Sequence, residues 1–415
     1  MRKIIIFFII LTIIGTVSLV AINLRKDSSH TDDTSEAEIS QPIDLSGLDS
    51  YQPAGSMATV TDAGAVDAAA SQSFTISMNF VGDIMLAGND TATSSIDAMA
   101  NSQPSTYFFE NIRDYFLNDD ITIANCENVF SDNDNLVKTD KGEAAALEQY
   151  NNALAEYNSA VALAQQTGTT VSMEKPEYTF RAFWFRSHAA TAKLLPENGV
   201  DVVSIDNNHT YDFGTDGNMD TRAALDVAGV DWGKDGKIVY KEINGFKIAF
   251  VFGSMYSAGA EQAMLVDLEE ANANSDYQVV YFHGGEEKVH AYEDWKQASC
   301  HNLVDHGADL VIGSHPHVLQ PMETYNGANI VYSLGNFIFG GNNYPENRTL
   351  IYNQTLTVTQ DATTGTYSVT NTDVTLIPCY VYTGESNNYQ PAVIENETDK
   401  QLVIDFMQGK RELPY

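Results

Sequence analysis

Cysteine is scarce in this chain, which has Cys126, Cys300 and Cys379 as its only thiols among 415 residues. A sparse and odd set of cysteines excludes a disulfide framework and leaves room for one bridge at most. The chain also lacks any Cys-x-x-Cys pair, and the absence of this pair argues against a cysteine-based zinc site.

Basic residues are scarce as well. The chain has 22 Lys and Arg residues against 56 Asp and Glu residues, which gives a formal net charge of −34. Direct binding to nucleic acid or to anionic lipid requires a basic surface, so we expect no nucleic-acid partner. An anionic polymer would have to be contacted through bound cations or through a locally basic cleft.

A long uncharged and mostly apolar stretch occupies residues 4–24, between Arg2-Lys3 and Arg25-Lys26. About 20 such residues span a bilayer as a helix, so we predict an uncleaved transmembrane anchor over residues 1–26. A cleaved signal peptide, which has a shorter apolar core, is the alternative. An anchor this close to the start predicts a single-pass protein of the cell membrane with an extracellular C-terminal domain.

Composition divides the rest of the chain. Residues 27–73 hold few large apolar side chains, and we expect a disordered acidic linker there. A folded domain is predicted over residues 74–415. Within it, the alanine-rich residues 143–167 predict one long helix, which we interpret as an insertion. Residues 341–415 predict antiparallel strands, with a turn at Thr364-Gly365, that complete the domain as a second sheet.

Short apolar runs rich in β-branched residues alternate with helix-compatible stretches, and this pattern predicts a layered α/β domain. Each run ends in a polar or glycine-rich cluster: FTISMNFVGD, ITIANCEN, VDVVSIDNNH, YQVVYFHGGEE, ADLVIGSHPH and ANIVYSLGNF. Ligand chemistry in such sheets gathers beyond the carboxyl ends of the strands. We therefore expect the six clusters to form one site.

Carboxylate, amide and imidazole side chains follow these strands, at Asp83, Asn125, Glu127, Asn208, His209, His283, His315 and His317. Taken alone, each has an ordinary alternative, such as a turn residue at Asp83 or a helix cap at Asn207 or Asn208. The histidines at 315 and 317 are either loop residues or ligands, and an extended backbone around Pro316 would point both rings the same way. Together the set is typical of a binuclear site for Mn, Fe or Zn, in which His209 would protonate a leaving group or hold an oxyanion.

The chain resembles the CapA family of capsule and poly-γ-glutamate synthesis proteins. The resemblance is carried, in the family's order, by GDIML (82–86), NCEN (125–128), DNNHTYDFG (206–214), HGGEE (283–287), GADLVIGSHPHVLQ (307–320) and YSLGNFIFG (332–340). These segments span most of residues 74–340.

The resemblance implies a fold of the calcineurin-like metallophosphatase type, a four-layer αββα sandwich with a dimetal site. It implies metal positions at Asp83, Glu127, Asn208, His283, His315 and His317, catalytic positions at His209 and Asn208, and supporting positions at Asn125, Glu287 and Asn336. The chain departs from the metallophosphatase pattern at Asp83-Ile84-Met85, because Met85 stands where that pattern has a histidine ligand.

Three functions remain as alternatives. The first is a membrane-anchored extracellular protein for the synthesis or export of an anionic capsule polymer, expected to be poly-γ-glutamate, with synthase subunits as partners. The second is a metal-dependent phosphoesterase or amide hydrolase acting on cell-wall or polymer substrates. The third is a non-catalytic scaffold subunit. A cluster of strand-end histidines favours metal binding over a pure scaffold.

Overall fold

The computed structural model describes residues 71–89, 95–141, 143–171, 173–176, 183–340 and 347–413. The chain divides into a unit of residues 1–65 and a unit of residues 66–415, and all the described residues belong to the second. The predicted anchor and residues 27–70 of the predicted linker lie outside the described residues. None of the helices within the described ranges combines the length and the apolar character needed to cross a membrane.

Seven α-helices and three short 3-10 helices are described. The α-helices are α1 (Ser95–Ser102), α2 (Arg113–Leu117), α3 (Glu143–Thr167), α4 (Gly214–Ala228), α5 (Gln262–Asn274), α6 (Asp294–Asp305) and α7 (Glu397–Met407). The 3-10 helices are Tyr107–Phe109, Ala189–Leu194 and Pro196–Asn198.

Seventeen strands are described. They are β1 (Gln72–Ile84), β2 (Gly88–Asn89), β3 (Ile121–Cys126), β4 (Val129–Phe130), β5 (Phe185–Ser187), β6 (Val202–Ser204), β7 (Asp231–Gly233), β8 (Val239–Ile243), β9 (Phe246–Ser254), β10 (Tyr277–His283), β11 (Leu310–Ser314), β12 (Leu319–Tyr325), β13 (Ala328–Leu334), β14 (Asn336–Ile338), β15 (Arg348–Gln360), β16 (Tyr367–Tyr380) and β17 (Ala392–Val393).

Two large sheets and one small sheet contain these strands. The first sheet has the order β17-β16-β15-β1-β3-β6-β7, with β14 also paired to β1, and the second has the order β12-β13-β11-β10-β9-β8. A third, three-stranded sheet has the order β2-β5-β4. Strands β1, β3, β6 and β7 run parallel, as do β9, β10, β11 and β13.

The two large sheets pack face to face with helices on their outer faces. Alternate residues of β1, including Ile76 and Phe80, enter the core between the sheets, together with Phe250 of β9 and Tyr281 of β10. Helices α1, α2 and α4 cover the outer face of the first sheet, and α5 and α6 cover that of the second. This layering explains why the central strands are apolar on both faces, and it confirms the predicted mixed α/β architecture.

The carboxyl ends of the central strands meet at one end of the sandwich. In the parallel register, Asp83 of β1 lies beside Asn125 of β3, and Asn125 lies beside Ser204 of β6. In the second sheet, His283 of β10 lies beside Ser314 of β11. The polar clusters that follow these strands are therefore brought together from both sheets.

The C-terminal strands differ from the prediction. Strands β15 and β16 form the expected antiparallel hairpin, and Gly365 in the turn has a positive φ of 73°. They do not form a second sheet, because β15 pairs antiparallel with β1 and extends the first sheet. Helix α7 adds Leu402, Val403 and Phe406 to the core between the sheets.

Helix α3 covers the segment for which the sequence predicts one long helix. None of its described side chains joins the hydrophobic cores formed by the sheets and the other helices. The three cysteines are buried free thiols.

Candidate functional site

The first sheet contributes two carboxylates and an amide, all fully buried. Asn125 uses its Nδ2 to donate to Asp83 Oδ1 at 2.8 Å and to Glu127 Oε2 at 3.2 Å. The backbone reaches this position because Gly82 passes against Gly335, so that Asp83 N donates to the Gly335 carbonyl at 3.0 Å. One amide side chain thus holds both carboxylates in place.

The second sheet contributes three histidines. His283 Nε2 lies 2.8 Å from Asn208 Oδ1 and 3.0 Å from His315 Nδ1. His317 Nδ1 lies 2.8 Å from Asn336 Oδ1 and 3.3 Å from Asp83 Oδ2. The imidazoles therefore face the carboxylates of the first sheet across the end of the sandwich.

The extended backbone expected around Pro316 is wrong. His315 and His317 have φ angles of 98° and 58°, and residues 315–318 form a bend between β11 and β12. Each such conformation in a non-glycine residue costs about 1–3 kcal/mol and persists only where the surrounding structure enforces it. The bend still directs both rings to one place, since their centroids are 5.8 Å apart.

One oxygen at the centre of the site has no hydrogen-bond partner among the described residues. It is Oε1 of the fully buried Glu127. The Nε2 atoms of His209, His283 and His317 lie 3.8, 3.9 and 3.9 Å from it. Burial, followed by the charge of Asp83, raises the pKa of Glu127 well above its ordinary value. A buried carboxylate without a hydrogen-bond partner or a counter-charge lowers the free energy of unfolding, and a cation beside it would offset that loss.

Three of the imidazoles, those of His209, His283 and His315, have a lowered pKa. Burial is the largest cause that lowers the pKa of His209 and of His283, the latter well below its ordinary value. Burial, followed by the charge of His317, lowers the pKa of His315 to about 3. These histidines are therefore neutral near pH 7, and neutral imidazole is the form that binds a metal.

Two groups of side chains have donor atoms close enough to share an ion. Asp83, Glu127 and His317 form one group, and Glu287, His315 and His317 form the other, with the donor atoms of each group within 4.8 Å of one another. Carboxylate and imidazole suit divalent Mn, Fe or Zn. The side chains present therefore fit such a cation.

The turn that follows β6 brings His209 into the site. Asn207 donates from Nδ2 to Asn125 Oδ1 at 3.0 Å and to the Cys126 carbonyl at 2.9 Å, and its Oδ1 accepts from His209 N at 3.0 Å. The alternative that Asn207 or Asn208 caps the next helix is wrong, because the N-cap residue of α4 is Phe213.

His209 has partners that sequence reasoning did not include. Its Nδ1 lies 2.9 Å from Asp212 Oδ2, which leaves Nε2 directed at Glu127. Lys141 forms an ion pair with Asp212 and donates to the Asn208 carbonyl at 3.1 Å. Asp212 belongs to the DNNHTYDFG motif, whereas no pattern around Lys141 singles it out.

A cavity of about 610 Å³ opens beside His209 and His317. Phe183, Phe185 and Phe339 line it together with Met85, the residue at the position of the absent histidine. Glu287 also lines this cavity, and its side chain is exposed. Every candidate residue named from the sequence thus lies at this end of the sandwich.

Tyr256 is a further aromatic residue that the sequence did not single out. It follows β9 and meets the His315 ring edge-on, with centroids 5.1 Å apart. A tyrosine after an apolar strand carries no signal that separates it from a core residue.

Comparisons with known proteins agree with these motifs. Residues 152–341 match the model of the family described as bacterial capsule synthesis protein PGA_cap. The capsule biosynthesis protein CapA of Bacillus anthracis is 26% identical over 365 residues, or 80% of this chain and 74% of that protein. The PGA biosynthesis protein CapA of Bacillus subtilis is 32% identical over 176 residues, or 37% of this chain and 46% of that protein.

Among solved structures, the calcineurin-like phosphoesterase YfkN of Bacillus subtilis aligns with a TM-score of 0.37 and 14% identity, over 82% of this chain and 100% of that one. The matched family model, the two CapA relatives and the motifs at the site show that this chain is similar to the CapA family of bacterial capsule synthesis proteins.

Proposed function

We propose that this protein serves the synthesis or export of an anionic capsule polymer, with poly-γ-glutamate as the polymer. Support comes from the relatives, which are named for capsule and for PGA biosynthesis. A Mycobacterium tuberculosis protein named as a probable polyglutamine synthesis accessory protein is 24% identical over 231 residues, or 44% of this chain and 59% of that protein. Because that name describes an accessory protein, it supports the proposal that this protein acts together with membrane synthase subunits.

In this proposal residues 1–26 anchor the chain in the cell membrane, and the sandwich stands outside the cell. The support is the apolar stretch of the sequence and its basic flanks. The sandwich is inferred to be of the metallophosphatase type, with two sheets between helical layers and the site at the strand ends.

The observation that carries a metal-dependent role is the unpaired, fully buried oxygen of Glu127 with three imidazole nitrogens around it. We infer that Asp83, Glu127, Asn208, His283, His315 and His317 hold divalent cations of the Mn, Fe or Zn class. A bound cation of this class supplies Lewis acidity to a substrate oxygen. Asn125 and Asn336 support this set by holding Asp83, Glu127 and His317.

The chain's own residues supply the remaining chemistry. Asp212 holds the proton of His209 on Nδ1, so that Nε2 faces the site and can exchange a proton with a bound substrate. The aromatic wall of the cavity excludes water from one side of the substrate, and Asn208 presents its amide beside His283. We therefore assign a proton-transfer or oxyanion role to His209 and an orienting role to Asn208.

Metal content tests the proposal most directly. We would compare the full-length protein, purified without chelator, with a His315→Ala/His317→Ala variant by mass spectrometry of bound metals. A His188→Ala/His306→Ala variant removes the same number of imidazoles from exposed positions and is the matched control. We expect about two equivalents of metal in the wild type and the control, and a loss in the site variant. Metal-free wild-type protein with an intact fold would overturn the metal-dependent role.

A metal-dependent hydrolase, acting on a phosphoester or an amide, is the second candidate. The observation that favours it is the His209–Asp212 pair beside the cavity. Turnover of phosphoester or γ-glutamyl substrates, lost in His209→Asn while the metal content stays, would support it. Full capsule production with His209→Asn would instead favour the non-catalytic scaffold.

A further inference from the structure

We propose that Glu287 is the carboxylate ligand of an outer cation position, which it forms with His315 and His317. This position lies next to an inner one formed by Asp83, Glu127 and His317. The inference rests on the proposed metal site. It adds to that site one ligand, Glu287, which lies in the loop after β10 and has an exposed side chain. The ligand class is a divalent cation that accepts oxygen and nitrogen donors, such as Mn²⁺.

The two groups share one imidazole and differ in burial. Each keeps its donor atoms within 4.8 Å, and His317 belongs to both. The inner group is buried throughout, and its Glu127 Oε1 is an unpaired oxygen 3.9 Å from His317 Nε2. Glu287 is exposed. An ion in the outer group would therefore exchange with solvent more readily than an ion in the inner group.

The loop that carries Glu287 is fastened to the segment that carries the two histidines. Gly284 N donates to the Ser314 carbonyl at 2.9 Å, and Lys288 N donates to the Pro316 carbonyl at 2.8 Å. Lys288 has a positive φ of 63°. These bonds flank Glu287 on both sides, and they hold its backbone against the His315-Pro316-His317 bend.

A buried lysine contacts the same loop through Gln320. Lys296 of α6 is fully buried, and its Nζ donates to Gln320 Oε1 at 2.8 Å. Gln320 Nε2 donates in turn to the carbonyls of Val289 and Ala291 at 2.8 and 3.2 Å. These hydrogen bonds fix the backbone at Val289 and Ala291, just after Glu287 in the same loop.

The chemistry of Met85 explains why the outer cation position would use Glu287 as a ligand. Met85, Glu287 and His317 line the same cavity. A thioether is a soft ligand, so Met85 is a poor ligand for Mn²⁺. On this side of the site the oxygen donor comes from the opposite sheet, since Glu287 has a donor atom within 4.8 Å of those of His315 and His317. The outer ion would face the cavity, where a substrate oxygen can reach it.

Titration with Mn²⁺ alone tests this inference without any activity assay. The full-length wild type is compared with Glu287→Gln, with Glu127→Gln, and with Glu286→Gln as the matched control from the same loop. Equilibrium dialysis and the electron paramagnetic resonance signal of free Mn²⁺ count the bound ions, and thermal unfolding checks each fold. We expect two classes of site in the wild type and in Glu286→Gln. Glu287→Gln should weaken only the looser class, by about tenfold or more, and Glu127→Gln should remove the tighter class.

Other outcomes separate this inference from the proposed function. One Mn²⁺ in the wild type, unchanged in Glu287→Gln and lost in Glu127→Gln, would keep the metal site and overturn the outer position. Glu287→Gln that binds Mn²⁺ at both classes of site with the dissociation constants of the wild type would also overturn the outer position. Loss of both classes in that variant would overturn it as well. No Mn²⁺ bound to the folded wild type would overturn the inference together with the metal-dependent role.

Discussion

The side-chain amide of Asn207 joins β3 to the turn at His209 through three hydrogen bonds. The Nδ2 atom of Asn207 donates to Asn125 Oδ1 and to the Cys126 carbonyl, both in β3, and its Oδ1 accepts from the backbone N–H of His209. Aspartate lacks the donor and leucine lacks both functions, so neither of these residues of similar size can make all three contacts. The DNNH motif thus contributes its first asparagine to architecture and its histidine to the site.

Asp119 illustrates at the same scale how burial changes a carboxylate far from the site. Its Oδ2 accepts from Asn79 N at 3.2 Å and from Thr122 Oγ1 at 2.7 Å, while its buried Oδ1 has no hydrogen-bond partner among the residues that the structure describes. Burial is the main cause that raises the pKa of Asp119 from 3.8 to about 7, and the charge of Asp201 adds to it. The folded protein therefore binds this proton more tightly than the unfolded chain does.

Replacement of Asp119 by asparagine should change how stability depends on pH. The contribution of Asp119 to stability falls as pH rises from about 4 to 7, because the folded state must give up a proton that it binds more tightly. Asp119→Asn carries no such proton, so its stability relative to the wild type should rise over this window. Urea unfolding of both proteins at pH 5 and pH 7.5 measures this difference. An exposed Asp114→Asn variant controls for net charge, and a difference that is constant with pH would contradict the prediction.

At the scale of elements, the site depends on a close crossing of β1 and the start of β14. Asp83 and Asn336 are neighbours in this parallel pairing, and a Cβ added at Gly82 would overlap the Gly335 carbonyl oxygen. A second crossing occurs at Gly284, where a Cβ would overlap the Met255 carbonyl oxygen. Glycine before Asp83 and after His283 thus serves to bring the backbone of neighbouring segments into contact.

Gly82→Ala should destabilise the protein by about 1–3 kcal/mol, because the overlap forces β1 and β14 apart. Metal content should fall with it, since Asp83 and the Asn336 partner of His317 both move. Denaturant unfolding and metal analysis measure the two effects. Gly340→Ala is the matched control, as the nearest atom to its added Cβ is Met85 Cε at an ordinary 3.7 Å. Equal stability of the two variants would contradict this account.

At the scale of the whole molecule, the core and the long helix are separate. The sheets and helices α1, α2, α4, α5 and α6 share three large hydrophobic clusters, to which no described side chain of α3 belongs. Helix α5, by contrast, buries Met264, Leu268 and Ala271. Stability should therefore come from the sandwich and very little from α3.

Replacement of residues 143–167 by a short Gly/Ser linker should leave cooperative unfolding intact, with a small change in Tm, because no core contact is removed. Circular dichroism and calorimetry measure this. The matched control replaces residues 262–274, which form α5, by the same linker and should prevent folding through exposure of the second sheet. Loss of the cooperative transition in the first variant would show that α3 belongs to the core.

The sequence predicted the layered α/β class and the gathering of polar strand ends, because strand periodicity and parallel order are local patterns with a known geometric consequence. It was wrong on the backbone of His315 and His317, since the preference of a residue before proline is weaker than the contacts that enforce a tight bend. It was also wrong on the cap at Asn207, because that amide has better partners in β3, more than 80 positions away.

The sequence by itself determined which side chains can bind a cation and in what order they follow the strands, since residue type and strand pattern require no partner. Only the tertiary structure decided that Glu127 keeps one buried oxygen unpaired, that Lys141 joins Asp212, and that Glu287 reaches the two histidines of the bend. These features depend on the distance between segments far apart in the chain. That distance is set by how two sheets pack and how closely their backbones cross, which no local pattern encodes.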